Sequence, residues 1–66
     1  MMQQWIVRVR DKSKAKALSK YGNIVYVSKF INAVGIETSE IMAEKISKNP
    51  NVISIRPSEK GHYQYQ

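Results

Sequence analysis

Cysteine is absent from this chain of 66 residues, and histidine occurs once, at His62. No disulfide can therefore stabilise the fold, and the usual ligands of a zinc or iron site are missing. A hydrolase would need a nucleophile held beside a base and an orienting acid, and nucleotide-binding or zinc-protease motifs are absent as well. We predict no catalytic residues, no metal, no cofactor and no small-molecule ligand, and a binding protein rather than an enzyme.

Long apolar stretches are also missing. The opening segment MMQQWIVRVRDK is interrupted by Arg8 and Arg10, which excludes a signal-peptide core or a membrane span. We therefore expect a cytoplasmic protein with no membrane partner. The hydrophobic fraction of 42% and the charged fraction of 24% indicate one small globular domain.

Acidic residues are few, and the resulting net charge of +6 is unevenly placed. Residues 1–30 carry seven basic side chains and only one acid, Asp11, whereas residues 31–66 carry four of each sign. An excess of basic residues in one half of the chain favours binding to nucleic acid or to an acidic partner. The alternative is an ordinary solvated helix face.

The pattern of apolar residues predicts two strands and a helix in the first half. In QQWIVRVR, residues Trp5, Val7 and Val9 alternate with Ile6, Arg8 and Arg10, as in a half-buried strand. DKSKAKALSKYG is typical of an amphipathic helix. On a helical wheel, Ala15, Ala17, Leu18 and Tyr21 share an apolar side. The opposite side carries an outward lysine stripe of Lys12, Lys16 and Lys20. Gly22 is interpreted as the helix stop. A strand then leads to a turn near residues 28–32.

The second half repeats the pattern. After the turn comes a third strand, then a helix capped by Thr38 or Ser39, with Met42, Ala43 and Ile46 facing inward. Asn49-Pro50 ends this helix, VISIR forms the last strand, and Pro57 marks the end of regular pairing.

The element order βαββαβ predicts an α+β domain with the ferredoxin-like arrangement, in which a four-stranded antiparallel sheet carries both helices on one face. We assign residues 1–58 to this domain and residues 59–66 to an extended C-terminal tail. The other face of the sheet would show Arg8, Arg10 and some aromatic or β-branched side chains, and such an uncovered face favours a partner.

Several segments resemble the subtilisin propeptides and the free-standing protease inhibitors related to them. WIVRVR resembles the opening strand of that family, and Gly22 its glycine before strand two. KFINAV stands where the family has an aromatic-aliphatic pair followed by Asn-Ala, and ISKNPNVISI matches its helix end, turn and last strand. From Gly22 to His62 the resemblance needs no gap. The segment from Asp11 to Tyr21 is shorter than in the propeptides.

The resemblance implies an inhibitor, or a folding assistant, of a subtilisin-like serine protease. The open sheet face would lie on the protease, and the tail would enter the active-site cleft like a substrate. The tail residues concerned are Gly61, His62, Tyr63, Gln64, Tyr65 and Gln66. Arg56, Ser58 and Glu59 would form a secondary contact, where the family has an acidic residue at the position of Arg56. The family residue that enters the primary specificity pocket of the protease aligns with Gln64, and Tyr65 or Gln66 could take that place instead.

Two other functions are open on the residues alone. The lysine stripe and the arginines of strand one favour a small nucleic-acid-binding domain, although strand three lacks the aromatic residue that RNA-binding domains of this topology use. The bare sheet could also pair with a second copy of itself.

Overall fold

The computed structural model describes residues 2–58 of the chain. The strands are β1 (Met2–Val9), β2 (Asn23–Val27), β3 (Ala33–Ser39) and β4 (Val52–Pro57). A 3₁₀ helix (Lys12–Lys20) joins β1 to β2, and an α-helix, α1 (Glu40–Ser47), joins β3 to β4. The turn predicted near residues 28–32 is the connection between β2 and β3.

The four strands form one antiparallel sheet in the order β2-β3-β1-β4. Trp5 lies opposite Ile36 on one side and Pro57 on the other, and Val7 lies opposite Val34 and Ile55. Each crossover therefore skips one strand, which is the ferredoxin-like arrangement. The predicted fold class is confirmed.

One face of the sheet and the two helices enclose the core. β1 contributes Trp5, Val7 and Val9, as its alternation predicts. The neighbouring strand β3 contributes Val34 and Ile36, and the helices contribute Ala15, Leu18, Ala43 and Ile46. The Trp5 indole Nε1 donates a hydrogen bond to the Thr38 carbonyl at 3.1 Å, so the one polar atom of this ring is satisfied inside. Both helices consequently cover the same side of the sheet.

The first helix is a 3₁₀ helix and has fewer residues per turn than the α-helix that the sequence predicts. A 3₁₀ helix has three residues per turn, so side chains three apart share a face. Ala15 and Leu18 are buried and Tyr21 is half-buried, whereas Ala17 is exposed. The predicted inward position of Ala17 is wrong, because it assumed 3.6 residues per turn.

The same period corrects the predicted lysine stripe. Lys12 is three residues before Ala15 and lies on the inward side of the 3₁₀ helix, where it is half-buried. Its Nζ donates to the carbonyl oxygens of Ser28 at 2.6 Å and Ile31 at 3.3 Å. Only Lys16 and Lys20 of the three predicted lysines are exposed to solvent, so no continuous outward stripe exists.

Gly22 is required for packing rather than for ending the helix. The 3₁₀ helix ends at Lys20, with Tyr21 as its C-cap, and no glycine in the described residues has a positive φ. A Cβ at Gly22 would lie 2.5 Å from the Glu37 carbonyl oxygen and 2.7 Å from Thr38 Cβ. The helix thus ends just before Gly22, as predicted, but the glycine is needed for its close contact with β3 and not for a left-handed conformation.

The second helix begins and ends close to the prediction. Ser39 is the N-cap, and its hydroxyl accepts a hydrogen bond from the Met42 amide at 3.3 Å. Thr38, the other candidate, is fully buried and donates its hydroxyl to the Tyr21 carbonyl at 2.7 Å. β4 ends at Pro57, the residue predicted to mark the end of regular pairing, where it lies opposite Trp5.

In residues 2–58, neither helix has the length and apolar character needed to cross a membrane.

Candidate functional site: the uncovered sheet face

The sheet face opposite the helices is the surface that the sequence singles out. Strand alternation sends every second side chain to this face. The register places Ile6 of β1 between Gly35 of β3 and Arg56 of β4, with Tyr26 of β2 beyond Gly35. Four strands thus contribute one row across the face, and we call it the open-face row: Tyr26, Gly35, Ile6 and Arg56.

Tyr26 and Gly35 form the aromatic end of this row. A Cβ at Gly35 would overlap the Tyr26 ring, so the ring lies directly over the glycine backbone. Gly35 is buried, and Tyr26 keeps 41% of its surface exposed. An aromatic ring that covers a cross-strand glycine protects the sheet backbone and presents its outer side to solvent.

Arginine gives the rest of the face its charge. Arg8 follows Ile6 on the same side of β1 and lies opposite Ala33 and Ser54. Arg8, Arg56 and Glu37 are exposed, and Ile6 is half-buried. Among the described residues, this face therefore combines the half-buried Ile6 and the Tyr26 ring with two arginines and one glutamate, and Met2 adds an exposed apolar side chain at the start of β1.

Arg10 does not join this face as the alternation predicts. β1 ends at Val9, after a register irregularity between Arg8 and Val9. The Arg10 amide donates to the Asn51 carbonyl at 2.8 Å, and its side chain lines a groove of about 450 Å³ with Lys14, Asn49 and other residues. Arg10 thus lies one residue beyond β1, and its charge is placed in this groove at the end of the sheet.

Asp11 is the one acid in that groove, and it holds the start of the 3₁₀ helix. Its carboxylate accepts hydrogen bonds from the Ser13 hydroxyl at 2.7 Å and the Ser13 amide at 2.9 Å. These bonds stabilise the ionised form, so the pKa of Asp11 is lowered from its usual value, with a smaller contribution from the nearby Lys14 charge. The groove consequently contains a fixed negative charge beside its two basic groups.

The predicted secondary contact is only partly on the open face. Arg56 is exposed there. Ser58 follows β4 and is only 6% exposed, and its amide donates to the Gln4 carbonyl at 2.8 Å. Little of Ser58 is therefore accessible to a partner. Glu59 lies outside the described residues.

The predicted substrate-like tail also lies outside the described residues. This holds for Gly61, His62, Tyr63, Gln64, Tyr65 and Gln66. The last described residue, Ser58, lies beside Gln4 directly after β4. The role of the tail in a protease cleft stays a prediction.

Tyr26 was not predicted as a member of the open face. RNA-binding domains of this topology carry their stacking aromatic residues in strands one and three, where this chain has only Trp5, and Trp5 faces the core. The available signal was the glycine in AVGIE, because a glycine inside a strand often marks a site where another group approaches closely. The neighbouring strand of the hairpin supplies that group.

No curated protein matches the chain closely enough to identify a relative, and the resemblance to the subtilisin propeptides stays a prediction. Residues 3–65 match the bacterial family described as "Uncharacterized protein conserved in bacteria (DUF2129)", and the chain belongs to that family.

Proposed function

We propose that this protein is a propeptide-like inhibitor, or folding assistant, of a subtilisin-type serine protease, and not an enzyme. The open sheet face would bind the surface of the protease beside its cleft, and residues 59–66 would enter the cleft as a substrate mimic. The proposed place of this encounter is the cytoplasm.

The main support is the combination of a sheet face that residues 2–58 leave uncovered with the position of Ser58, the last described residue. β4 is an edge strand, and the chain passes Ser58 beside Gln4 at the rim of the open face. The eight residues that follow Ser58 can extend about 26 Å. An extended segment of that length could pair with a cleft strand by β-augmentation, with alternate side chains entering pockets.

The charge of the open face bears on the choice of target. The propeptide family has an acidic residue where this chain has Arg56, and an acid suits the positive ends of protease helices. An exposed arginine suits a carboxylate or the negative end of a helix instead. We therefore propose a target whose contact surface presents acidic groups opposite Arg56 and Arg8.

The two parts of the molecule would act together. Once the sheet binds, the tail is held near the cleft at a high effective concentration, so that even a cleaved end would leave slowly. A folding assistant needs nothing more, because a protein that binds the native protease and not its unfolded chain stabilises the native form by mass action.

The experiment is a titration of subtilisin, used as the probe protease, with the full chain and three variants. Removal of residues 59–66 tests the tail. Arg56→Glu restores the acid of the propeptide family on the open face, and Lys16→Glu makes the same charge change on the exposed side of the 3₁₀ helix. Circular dichroism verifies that each variant is folded.

We expect the truncation to weaken inhibition by orders of magnitude, and Arg56→Glu to strengthen inhibition of subtilisin while Lys16→Glu does not. Equal inhibition with and without the tail would refute the substrate-mimic mechanism. Absence of inhibition by both the full chain and Arg56→Glu at micromolar concentrations would refute the proposal as a whole.

A second candidate function, binding of single-stranded nucleic acid, gains support from Tyr26. Its exposed ring lies on the sheet, and Arg8 and Arg56 are on the same face, a combination that can stack a base and contact its phosphate. The affinity would then fall linearly with salt on logarithmic axes. Tyr26→Ala should abolish binding of an oligonucleotide, and no binding at low salt would exclude this function.

A further inference from the structure

The loop between β2 and β3, residues 28–32, is a well-ordered hairpin tip. The Ser28 hydroxyl accepts hydrogen bonds from the amides of Phe30 and Ile31, each at 3.2 Å. The Ser28 amide donates to the Ala33 carbonyl at 2.9 Å, and the Lys12 ammonium binds the Ser28 and Ile31 carbonyls. These contacts fix the backbone of the tip and therefore the direction of its side chains.

The tip presents two large apolar side chains to solvent. Phe30 is 93% exposed and Ile31 is 49% exposed, although Phe30 belongs to the residue types that are most often buried. The loop is held by hydrogen bonds that do not involve either side chain, so the fold does not require these residues at the tip. A pre-ordered apolar protrusion of this kind would bind with little loss of conformational entropy.

Basic residues lie next to the tip. Lys29 precedes Phe30 in the chain, and Lys12 contacts the loop directly. The Asn32 amide group donates to the Arg10 carbonyl at 3.4 Å. We call the three basic residues that adjoin the tip in sequence or through a hydrogen bond, Arg10, Lys12 and Lys29, the basic collar.

The acids of the described residues give little counter-charge at this end. Asp11 is the one acid beside the basic collar, and it is bound to Ser13. Glu37 lies towards the opposite end of β3, across from Gln4, and the other two glutamates lie on α1. Within residues 2–58, the most exposed of the large hydrophobic side chains, Phe30, therefore lies beside an excess of basic over acidic residues.

We propose that the hairpin tip binds the surface of an anionic lipid bilayer, with Phe30 and Ile31 inserted among the acyl chains and the exposed members of the basic collar, Arg10 and Lys29, against the headgroups. An apolar protrusion with adjacent cations is complementary to such an interface. The sequence predicts no membrane partner because it lacks a spanning segment. The proposal revises that expectation, since a protein can lie on a bilayer without crossing it.

The basic collar and the aromatic side chain make separable contributions. Each basic residue near the surface strengthens binding about fivefold at physiological salt. Insertion of Phe30 in place of an alanine strengthens it about tenfold. The proposal is independent of protease inhibition, because the hairpin tip and the open-face row are different surfaces.

The test is co-sedimentation of the full chain with phosphatidylcholine vesicles, prepared with and without phosphatidylglycerol. Phe30→Ala removes the inserted ring, and Lys29→Glu reverses one charge of the basic collar. Ile41→Ala is the matched control, because Ile41 is a large apolar residue that is 70% exposed on α1. Neither apolar side chain supports the core, so all variants should fold, and circular dichroism verifies this.

We expect binding to anionic vesicles only, a loss of about tenfold for Phe30→Ala, a larger loss for Lys29→Glu and no change for Ile41→Ala. Equal binding by Phe30→Ala, or an equal loss for Ile41→Ala, would overturn insertion of the tip. A chain that binds a single-stranded oligonucleotide but neither kind of vesicle would overturn the proposal in favour of nucleic acid.

Discussion

Substitution of Gly22 by alanine distinguishes a packing role from a helix-ending role. Gly22 does not have a positive φ, so an alanine can adopt its backbone conformation. If there were room, alanine would stabilise the fold by about 0.4–1 kcal/mol, because it lowers the entropy of the unfolded chain. The structure leaves no room, since the new Cβ would lie 2.5 Å from the Glu37 carbonyl oxygen.

The magnitude follows from what surrounds the glycine. Overpacking of a close contact costs about 1–3 kcal/mol, and here one obstacle is backbone of the central strand β3, which cannot rotate away. The stabilisation that alanine gives by lowering the entropy of the unfolded chain offsets part of this cost. We expect a net loss of about 1–2 kcal/mol, which corresponds to a fall in Tm of about 5–15 °C for a domain of this size.

The assay is thermal and urea unfolding, followed by circular dichroism and by the fluorescence of Trp5, the single tryptophan. Gly35→Ala is the informative comparison, because its obstacle is the Tyr26 ring, which can move. Gly35→Ala should cost less than Gly22→Ala, and its cost should vanish in a Tyr26→Ala background. A Gly22→Ala variant as stable as the parent, or more stable, would refute the packing argument.

Three further predictions concern the ends of the helices. Lys12→Met should lower hydrogen-exchange protection in residues 28–32, because the loop carbonyls lose their ammonium partner; unchanged protection would contradict this. Ser39→Ala should cost about 1 kcal/mol of unfolding free energy through loss of the N-cap, whereas Ser39→Asp should cost little. Because the pKa of Asp11 is lower in the folded protein than in the unfolded chain, its ionised carboxylate stabilises the fold at pH values above the usual aspartate pKa. This stabilisation is lost as the pH falls through the lowered pKa. Asp11→Asn should therefore lose less unfolding free energy than the parent protein when the pH is lowered. Curves of unfolding free energy against pH that run parallel for the two proteins across the acid range would contradict this prediction.

The fold was predictable because the apolar residues of the strands follow a simple rule. Trp5, Val7 and Val9 alternate with polar or half-exposed neighbours, and these three residues are buried. The turn between β2 and β3 and the cap at Ser39 follow from local chemistry as well. Local patterns of this kind need no knowledge of distant contacts.

The remaining features depend on contacts that sequence spacing does not contain. Lys12 looked like a surface charge until the period of the 3₁₀ helix placed it against a loop 16 residues away in sequence. Gly22 looked like a helix stop, whereas the reason for glycine is the approach of β3. Arg10 lies just beyond the end of β1 and lines the groove beside Asn49 instead of the predicted face.

The 3₁₀ helix also determines how the first crossover tolerates changes in length. Its nine residues advance about 18 Å at 2.0 Å per residue, a distance for which an α-helix would need about 12 residues at 1.5 Å each. The connection is thus drawn out, with weaker internal hydrogen bonds than an α-helix would have. Sequences with roughly one extra turn between β1 and β2 could adopt the α form without moving either strand, and this segment is where the domain can best accommodate an insertion.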